Sequence, residues 1–170
     1  MELKLERCAI RDWRTTDAES LAKHANNRNV SSRLRDRFPY PYKLEDAKNF
    51  IETTMSKHPE MNFCIEINGA AVGGIGIRIG EDVHRNVGEI GYWLAEDFWG
   101  QGIMTEVVSA FANYCFANFP LNRIFATTQS DNSGSARVLE KAGFVFEGRL
   151  RKNVVKDGKI FDSVLYAKTV

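Results

Sequence analysis

Chemistry and chain geometry meet in the stretch GYWLAEDFWGQGIMTEVV, Gly91–Val108. An apolar run stops at Glu96 and Asp97, passes through Gly100-Gln101-Gly102, and resumes with helical periodicity. A strand that feeds through two closely spaced glycines into a helix leaves several backbone N–H groups pointing outward at the positive end of a helix dipole. Such a turn can hold a phosphate or pyrophosphate without any lysine. Three readings compete for it. A nucleotide P-loop needs Gly-Lys-Ser/Thr at the turn, and Gly102 is followed by Ile103-Met104-Thr105, which argues against it. A dinucleotide fold wants a third glycine and an early strand-helix unit, whereas this turn comes past mid-chain. An ordinary strand-to-helix turn with no ligand fits the spacing as well as an anion cradle does. Just upstream, Glu89 is the only charge in the apolar run VGEIGYWL, which makes it a candidate general base.

The elements that must position these residues follow from periodicity. Residues 3–10 alternate apolar and polar, which predicts a first strand. Thr16 or Asp17 is placed to cap a helix over Ala18, Leu21, Ala22 and Ala25. The stretch SSRLRDRFPYPY, broken by Pro39 and Pro41, reads as a loop, and a helix is expected from Leu44 to Lys57. NFCIEI and AAVGGIGIRI, joined by Asn68-Gly69, form a tight hairpin. After GEDVHRN, the run VGEIGYWL reads as a strand; Ile103, Val107, Ala110, Phe111 and Tyr114 then recur at helical spacing. RIFATTQ is a strand, SGSARVLEKAGF a helix closed by Gly143, and two strands flank Asp157-Gly158. The order β-α-α-β-β-β-α-β-α-β-β predicts an α/β (α+β) fold, a mixed, mostly antiparallel sheet with helices on both faces. The strand-helix-strand unit from Val87 to Gln129 requires a crossover and so a parallel strand pair.

A chain of 170 residues with 44% apolar and 26% charged residues is sized for one domain, 1–170, with a real core. A net charge of +1 argues against broad capture of nucleic acid or anionic membrane. The N-terminus lacks the apolar core of a signal peptide and no run is long enough to span a bilayer, so a soluble, cytoplasmic protein is expected. Cys8, Cys64 and Cys115 each sit inside an apolar pattern, and His24, His58 and His84 lack ligand spacing. Buried thiols and no metal are expected. The apolar content of the last strands raises a homodimer as a further expectation.

Taken in order, the Pro-Tyr-rich loop at 38–42, GEIGYWLAEDFWGQGIMTEVV, and DNSGSARVLEKAGFVFEGRLRKNVVKDGKIFDSVLYA resemble the GNAT superfamily of acyl-CoA N-acetyltransferases. The likeness is nearest to the ribosomal-protein N-terminal acetyltransferase (RimJ/RimL) branch, and covers nearly the whole chain. It implies a fold in which two parallel strands splay to admit the pantetheine arm of acetyl-CoA, the cosubstrate, while the glycine turn holds its pyrophosphate. Carried over for that turn are Trp99, Gly100, Gln101, Gly102, Ile103, Met104 and Thr105. The general superfamily motif has Gln or Arg where Trp99 stands, and Gly or Ala where Met104 stands; contacts made by backbone N–H groups tolerate both departures. The resemblance also implies that the N–H near Leu94 polarises the thioester carbonyl, and that Asn132 and Ser135 match the branch's Asn-x-x-Ser. As residues alone, those two fit simple helix N-terminal chemistry equally.

Amide formation from a thioester needs a neutral amine, a proton acceptor and, in some enzymes, a proton donor for the departing thiolate. Glu89 falls where histone-acetylating members of the superfamily carry a glutamate base. A strand-edge carboxylate in a salt bridge is the competing reading. Many members place an acidic tyrosine four residues before the Gly-Phe pair, where this chain has Leu139; Ser135 is similarly placed to the serine given this role in the ribosomal branch. Glu96 and Asp97 read as solvated turn residues. Arg33, Arg35, Tyr40 and Tyr42 lie in the loop that borders the acceptor in this branch. The expected partner is a protein N-terminal α-amine or a small amine. A non-catalytic acetyl-CoA-binding module is the rival of another class.

Overall fold

The computed structural model describes every residue except 58 and 60, so His58 lies outside the described residues. Eight strands form one mixed sheet: β1 (Glu2–Lys4), β2 (Ala9–Arg11), β3 (Asn62–Ile67), β4 (Ala70–Ile79), β5 (Val87–Leu94), β6 (Arg123–Gln129), β7 (Val145–Lys156) and β8 (Lys159–Thr169). Among the described residues, five α-helices accompany them: α1 (Ala18–Ala25), α2 (Arg28–Ser31), α3 (Leu44–Met55), α4 (Ile103–Asn118) and α5 (Ser133–Lys141). The strand order is β1-β2-β3-β4-β5-β6-β8-β7. β5 and β6 are parallel, while β1/β2, β2/β3, β3/β4, β6/β8 and β7/β8 are antiparallel. The expected mixed, mostly antiparallel α+β sheet with one parallel pair is what the chain forms.

Four local expectations need correction. The first strand is two strands, because apolar phase changes between Leu3, Leu5 and Cys8, Ile10; a turn closed by Leu5 N–H to Cys8 C=O (2.9 Å) absorbs the slip. Asp17 does not cap α1: its carboxylate accepts from the Arg14 N–H at 2.8 Å and from the buried Arg11 guanidinium at 2.7 and 2.8 Å. The helical turn α2 precedes the loop because the Asn27 side-chain oxygen accepts from the N–H groups of Asn29 (2.8 Å) and Val30 (3.2 Å). α3 ends at Met55 rather than Lys57.

The chain packs as two compact units, Met1–Gly76 with Tyr92–Ile103, and Ile77–Gly91 with Met104–Val170. The first is built around a core of Leu21 and Ala25 from α1, Ile51 from α3, Cys64 from β3, and Trp13 and Tyr42 from the connecting segments. Its β3–β4 hairpin turns at Asn68 (φ +50°) and Gly69 (φ +80°), the left-handed pair that the Asn-Gly dipeptide anticipates. In the second, Val107, Val108, Phe111, Ala112 and Cys115 of α4 and Ile124 of β6 are fully buried. Leu139 of α5 is likewise inside, and Tyr166 of β8 donates to Glu140 at 2.8 Å.

Candidate active site

The glycine turn is held by its own side chains. A 3-10 turn over Glu96–Phe98 follows β5, and the Ala95 N–H is bonded to the Val72 carbonyl at 2.8 Å. Trp99 reaches back, its indole N–H donating to the Leu94 carbonyl at 2.8 Å. Gln101 Nε2 donates to the Asp97 carbonyl at 3.0 Å, and Arg7 Nη1 donates to the Gln101 carbonyl. Gly100 (φ +75°) and Gly102 (φ +79°) both lie in the left-handed region. A Cβ on Gly100 would meet no described atom within 4 Å, so backbone conformation, not space, demands glycine there. Ile103 and Met104 are buried. Beside the exposed side chains of Trp99 and Gln101, the turn offers the exposed main chain of Gly100 and Gly102, and it leads into a 16-residue helix whose first amides have no intrahelical acceptor.

Both departures from the superfamily motif acquire a physical reason: Trp99 pins the turn to the end of β5, and Met104 points into the core. With the Ala95 N–H committed to Val72, strand alternation sends the Leu94 N–H to the opposite edge of β5.

Glu96 is not a solvated turn residue. Its two carboxylate oxygens accept from Asn27 Nδ2 at 2.7 Å and Asn29 Nδ2 at 2.9 Å, clasping the glycine turn to α2. The pattern NNRNV carried a signal for this, since asparagine repeated around a short helix supplies both a cap and outward amide donors. What hid it was the 67- to 69-residue separation of the partners.

The loop residues diverge in setting. Arg33 and Arg35 are exposed. Tyr40 is half-exposed beneath the Arg28 guanidinium, 5.4 Å from its ring centroid. Tyr42 is buried, its ring 4.9 Å from that of Phe38 and its phenol pushed up to about 12 by burial. Its aromatic face belongs to the core, which leaves it little surface to offer a ligand.

In the second unit the parallel register of β5 and β6 covers three pairs and ends at Glu89↔Phe125, while β6 stays registered with β8 as far as Gln129↔Ser163. The Glu89 side chain is 13% exposed and accepts from Arg78 Nη2. The carboxylate faces a pocket of about 460 Å³ lined by Arg78, His84, Val87, Arg123, Phe125 and Leu165. Arg123 is paired with Glu147 and holds that carboxyl below the usual range through a side-chain hydrogen bond. Asn132 caps α5, its Oδ1 accepting from the Ser135 N–H at 3.2 Å. Leu139 is fully buried where many superfamily members place tyrosine.

All three cysteines are buried and none forms a disulfide, and burial pushes the thiols of Cys64 and Cys115 up to about 12. Among the described residues, no group of three or more His, Cys, Asp or Glu converges to hold a metal, and no helix is long and apolar enough to cross a membrane.

Residues 7–145 match the family model described as the acetyltransferase (GNAT) domain. The uncharacterized N-acetyltransferase YoaA of Bacillus subtilis is 33% identical over 129 residues, 73% of this chain and 72% of that protein. The ribosomal-protein-serine acetyltransferase of Escherichia coli is 33% identical over 82 residues, 48% of this chain and only 46% of that enzyme. The solved structure of Mycobacterium smegmatis RimJ, in complex with CoA-disulfide, superposes with a TM-score of 0.85 at 25% identity, covering 96% of this chain and 82% of that one. The match along most of the chain, on a fold with the parallel pair and glycine turn in sequence order, makes this protein a member of the GNAT family and an N-acetyltransferase, an enzyme of the acyltransferase class.

Proposed function

We propose that this chain is one catalytic domain that transfers acetyl from acetyl-CoA directly to a protein N-terminal α-amine within a ternary complex. The observation that carries the proposal is the braced turn with two left-handed glycines, Gly100 and Gly102. Its outward amides, from Gly100 to Thr105, form the concave donor set that a diphosphate needs. The CoA complex of the mycobacterial RimJ structure supports the same donor here. Acetyl-CoA supplies an acyl group already activated as a thioester.

In this reading the Leu94 N–H, turned to the free edge of β5, donates to the thioester carbonyl oxygen. Glu89 removes the amine proton. It reaches that proton through a bridging water rather than by direct contact. Ser135 is the donor toward the departing sulfur, with Asn132 fixing the helix turn that carries it. Arg33, Arg35 and Tyr40 border the acceptor, while Tyr42 supports their loop from the core. Cys115 is no acyl carrier: a thiol pushed up to about 12 by burial has almost no thiolate at neutral pH.

An α-amine titrates near 7.7–8.0 and lysine near 10.4, a gap of about 2.6 units or roughly 3.5 kcal/mol of deprotonation cost at neutral pH. A base that works through water suits the α-amine. The E. coli relative's activity on a ribosomal protein points the same way. Purified protein mixed with acetyl-CoA and peptides beginning Ala, Ser or Met, beside a panel of amino acids, polyamines and aminoglycosides, tests this by thiol release. Turnover of the peptides is expected. Turnover confined to small amines would move the acceptor class, and acetyl-CoA binding without turnover on any amine would leave a binding module.

A further inference from the structure

The face of β5 that carries Glu89 is open, and a glycine keeps it so. Ile90 is 3% exposed, and a Cβ on Gly88 would meet Ile77 Cδ1 at 2.5 Å, so these two positions face the packed side. Strand alternation turns Val87, Glu89 and Gly91 to the other face, where Val87 and Glu89 are half-buried and Gly91 is exposed. A Cβ on Gly91 would meet no described atom within 4 Å, and its φ lies outside the left-handed region. Neither crowding nor backbone conformation requires glycine here. Glycine within a strand weakens it, and commonly marks a place where a ligand or another backbone comes close.

The neighbouring surface fits a ligand. The register sets Val87 beside Arg123 and Glu89 beside Phe125. The resulting pocket is lined by the apolar Val87, Phe125 and Leu165 and by the two arginines Arg78 and Arg123. Arg78 gives one nitrogen to Glu89, and Arg123 gives two to Glu147. Each guanidinium carries five N–H donors, so both keep donors for an anion.

The geometry points to this strip, Gly91 together with the Glu89 pocket, as the seat of the acceptor's chain, taking an amine-bearing peptide whose following residues are acidic. The assignment rests on the acetyl-transfer reading above. A small residue of the acceptor passes over Gly91, apolar groups rest on Phe125 and Leu165, and a carboxylate meets Arg78 and Arg123. Gly91 is then a specificity-determining residue: any side chain there fills space the acceptor needs while leaving the protein's own packing untouched.

The test uses Gly91→Val and, as the milder change, Gly91→Ala. The probes are two peptides that begin Ser-Ala and continue with Glu-Asp or with Lys-Arg. Rates, acetyl-CoA affinity and melting temperature are measured for wild type and variants, and peptide binding is followed separately by fluorescence anisotropy. Wild type is expected to favour the acidic peptide. Gly91→Val is expected to raise its KM by about tenfold or more, with acetyl-CoA affinity unchanged and melting temperature equal or higher. Wild-type kinetics and peptide binding in both variants would overturn the assignment, as would a preference for the basic peptide. If wild type acetylates no amine yet binds the acidic peptide, and Gly91→Val abolishes that binding, the seat stands and the transfer reading falls. If wild type neither binds nor acetylates either peptide, the seat is overturned whatever the enzyme does with small amines.

Discussion

Replacing Gly102 by alanine isolates the backbone strain on which the proposed diphosphate cradle rests. At φ +79° an L side chain sits in the left-handed region, at a cost of about 1–2 kcal/mol. Crowding adds little, since the new Cβ meets only the flexible end of Arg7, Nη1 at 3.0 Å. The strain can surface in two ways. If the empty turn keeps its shape, the protein melts lower, by roughly 2–4 °C per kcal/mol for a chain of this size. If the empty turn relaxes, acetyl-CoA must restore it, and the same energy appears as a loss of about five- to thirtyfold in affinity. Melting curves and calorimetric titrations on the same samples read both. Gly100→Ala carries the same strain at φ +75° with open space around the new methyl. Gly148→Ala has equal space without left-handed backbone and should leave acetyl-CoA affinity unchanged with melting equal or higher. Gly102→Val adds two branches and should weaken binding further. Wild-type melting and wild-type affinity in both Gly100→Ala and Gly102→Ala would exclude a cradle built on left-handed glycines.

Glu89→Gln should lower the rate by about a hundredfold or more with acetyl-CoA affinity unchanged; wild-type activity across pH 6–9 would remove Glu89 as base. Glu96→Ala breaks two hydrogen bonds to a charged acceptor, worth about 1.5–3 kcal/mol each before discounting for partial exposure. Acetyl-CoA affinity should fall several-fold, and Asn27→Ser, which keeps a capping oxygen but cannot reach Glu96, should move it in the same direction. Titration of both variants at wild-type affinity would dismiss the clasp. The thiols of Cys64 and Cys115 are raised by burial from 9.0 to about 12, so above pH 9 the unfolded chain loses protons that the folded chain keeps. Stability from these groups is complete below pH 9 and drains away as pH rises toward 12. A urea midpoint lower at pH 10 than at pH 8 is expected, with a smaller difference in Cys115→Ala; equal midpoints at the two pH values would contradict it.

The strand-helix-strand unit and both tight hairpins were legible because their signals are local. Asn68-Gly69 and Asp157-Gly158 announce left-handed turn residues, and Gly143 closes α5 with φ +85°. The glycine turn was legible for the same reason, its two positive φ angles sitting where the only residue type at ease with them stands. Misreadings arose where a residue's partner is remote in sequence. Asp17 looked like a cap until Arg11 claimed its carboxylate, and Glu96 looked solvated until Asn27 and Asn29 clasped it. Tyr40 and Tyr42 are alike in sequence, yet one turns outward and the other packs against Phe38. Gly91 escaped notice because its meaning lies in the empty space above it, which no spacing rule reports.

In the proposed function, main-chain amides around residues 100–105 grip a diphosphate. Calorimetric titration of the wild-type protein with CoA and, separately, with pantetheine isolates that grip, because the two ligands share the thiol arm and only CoA carries the diphosphate. One CoA bound per chain, with pantetheine far weaker, is the predicted result. No heat with CoA, or pantetheine binding as tightly as CoA, would contradict it.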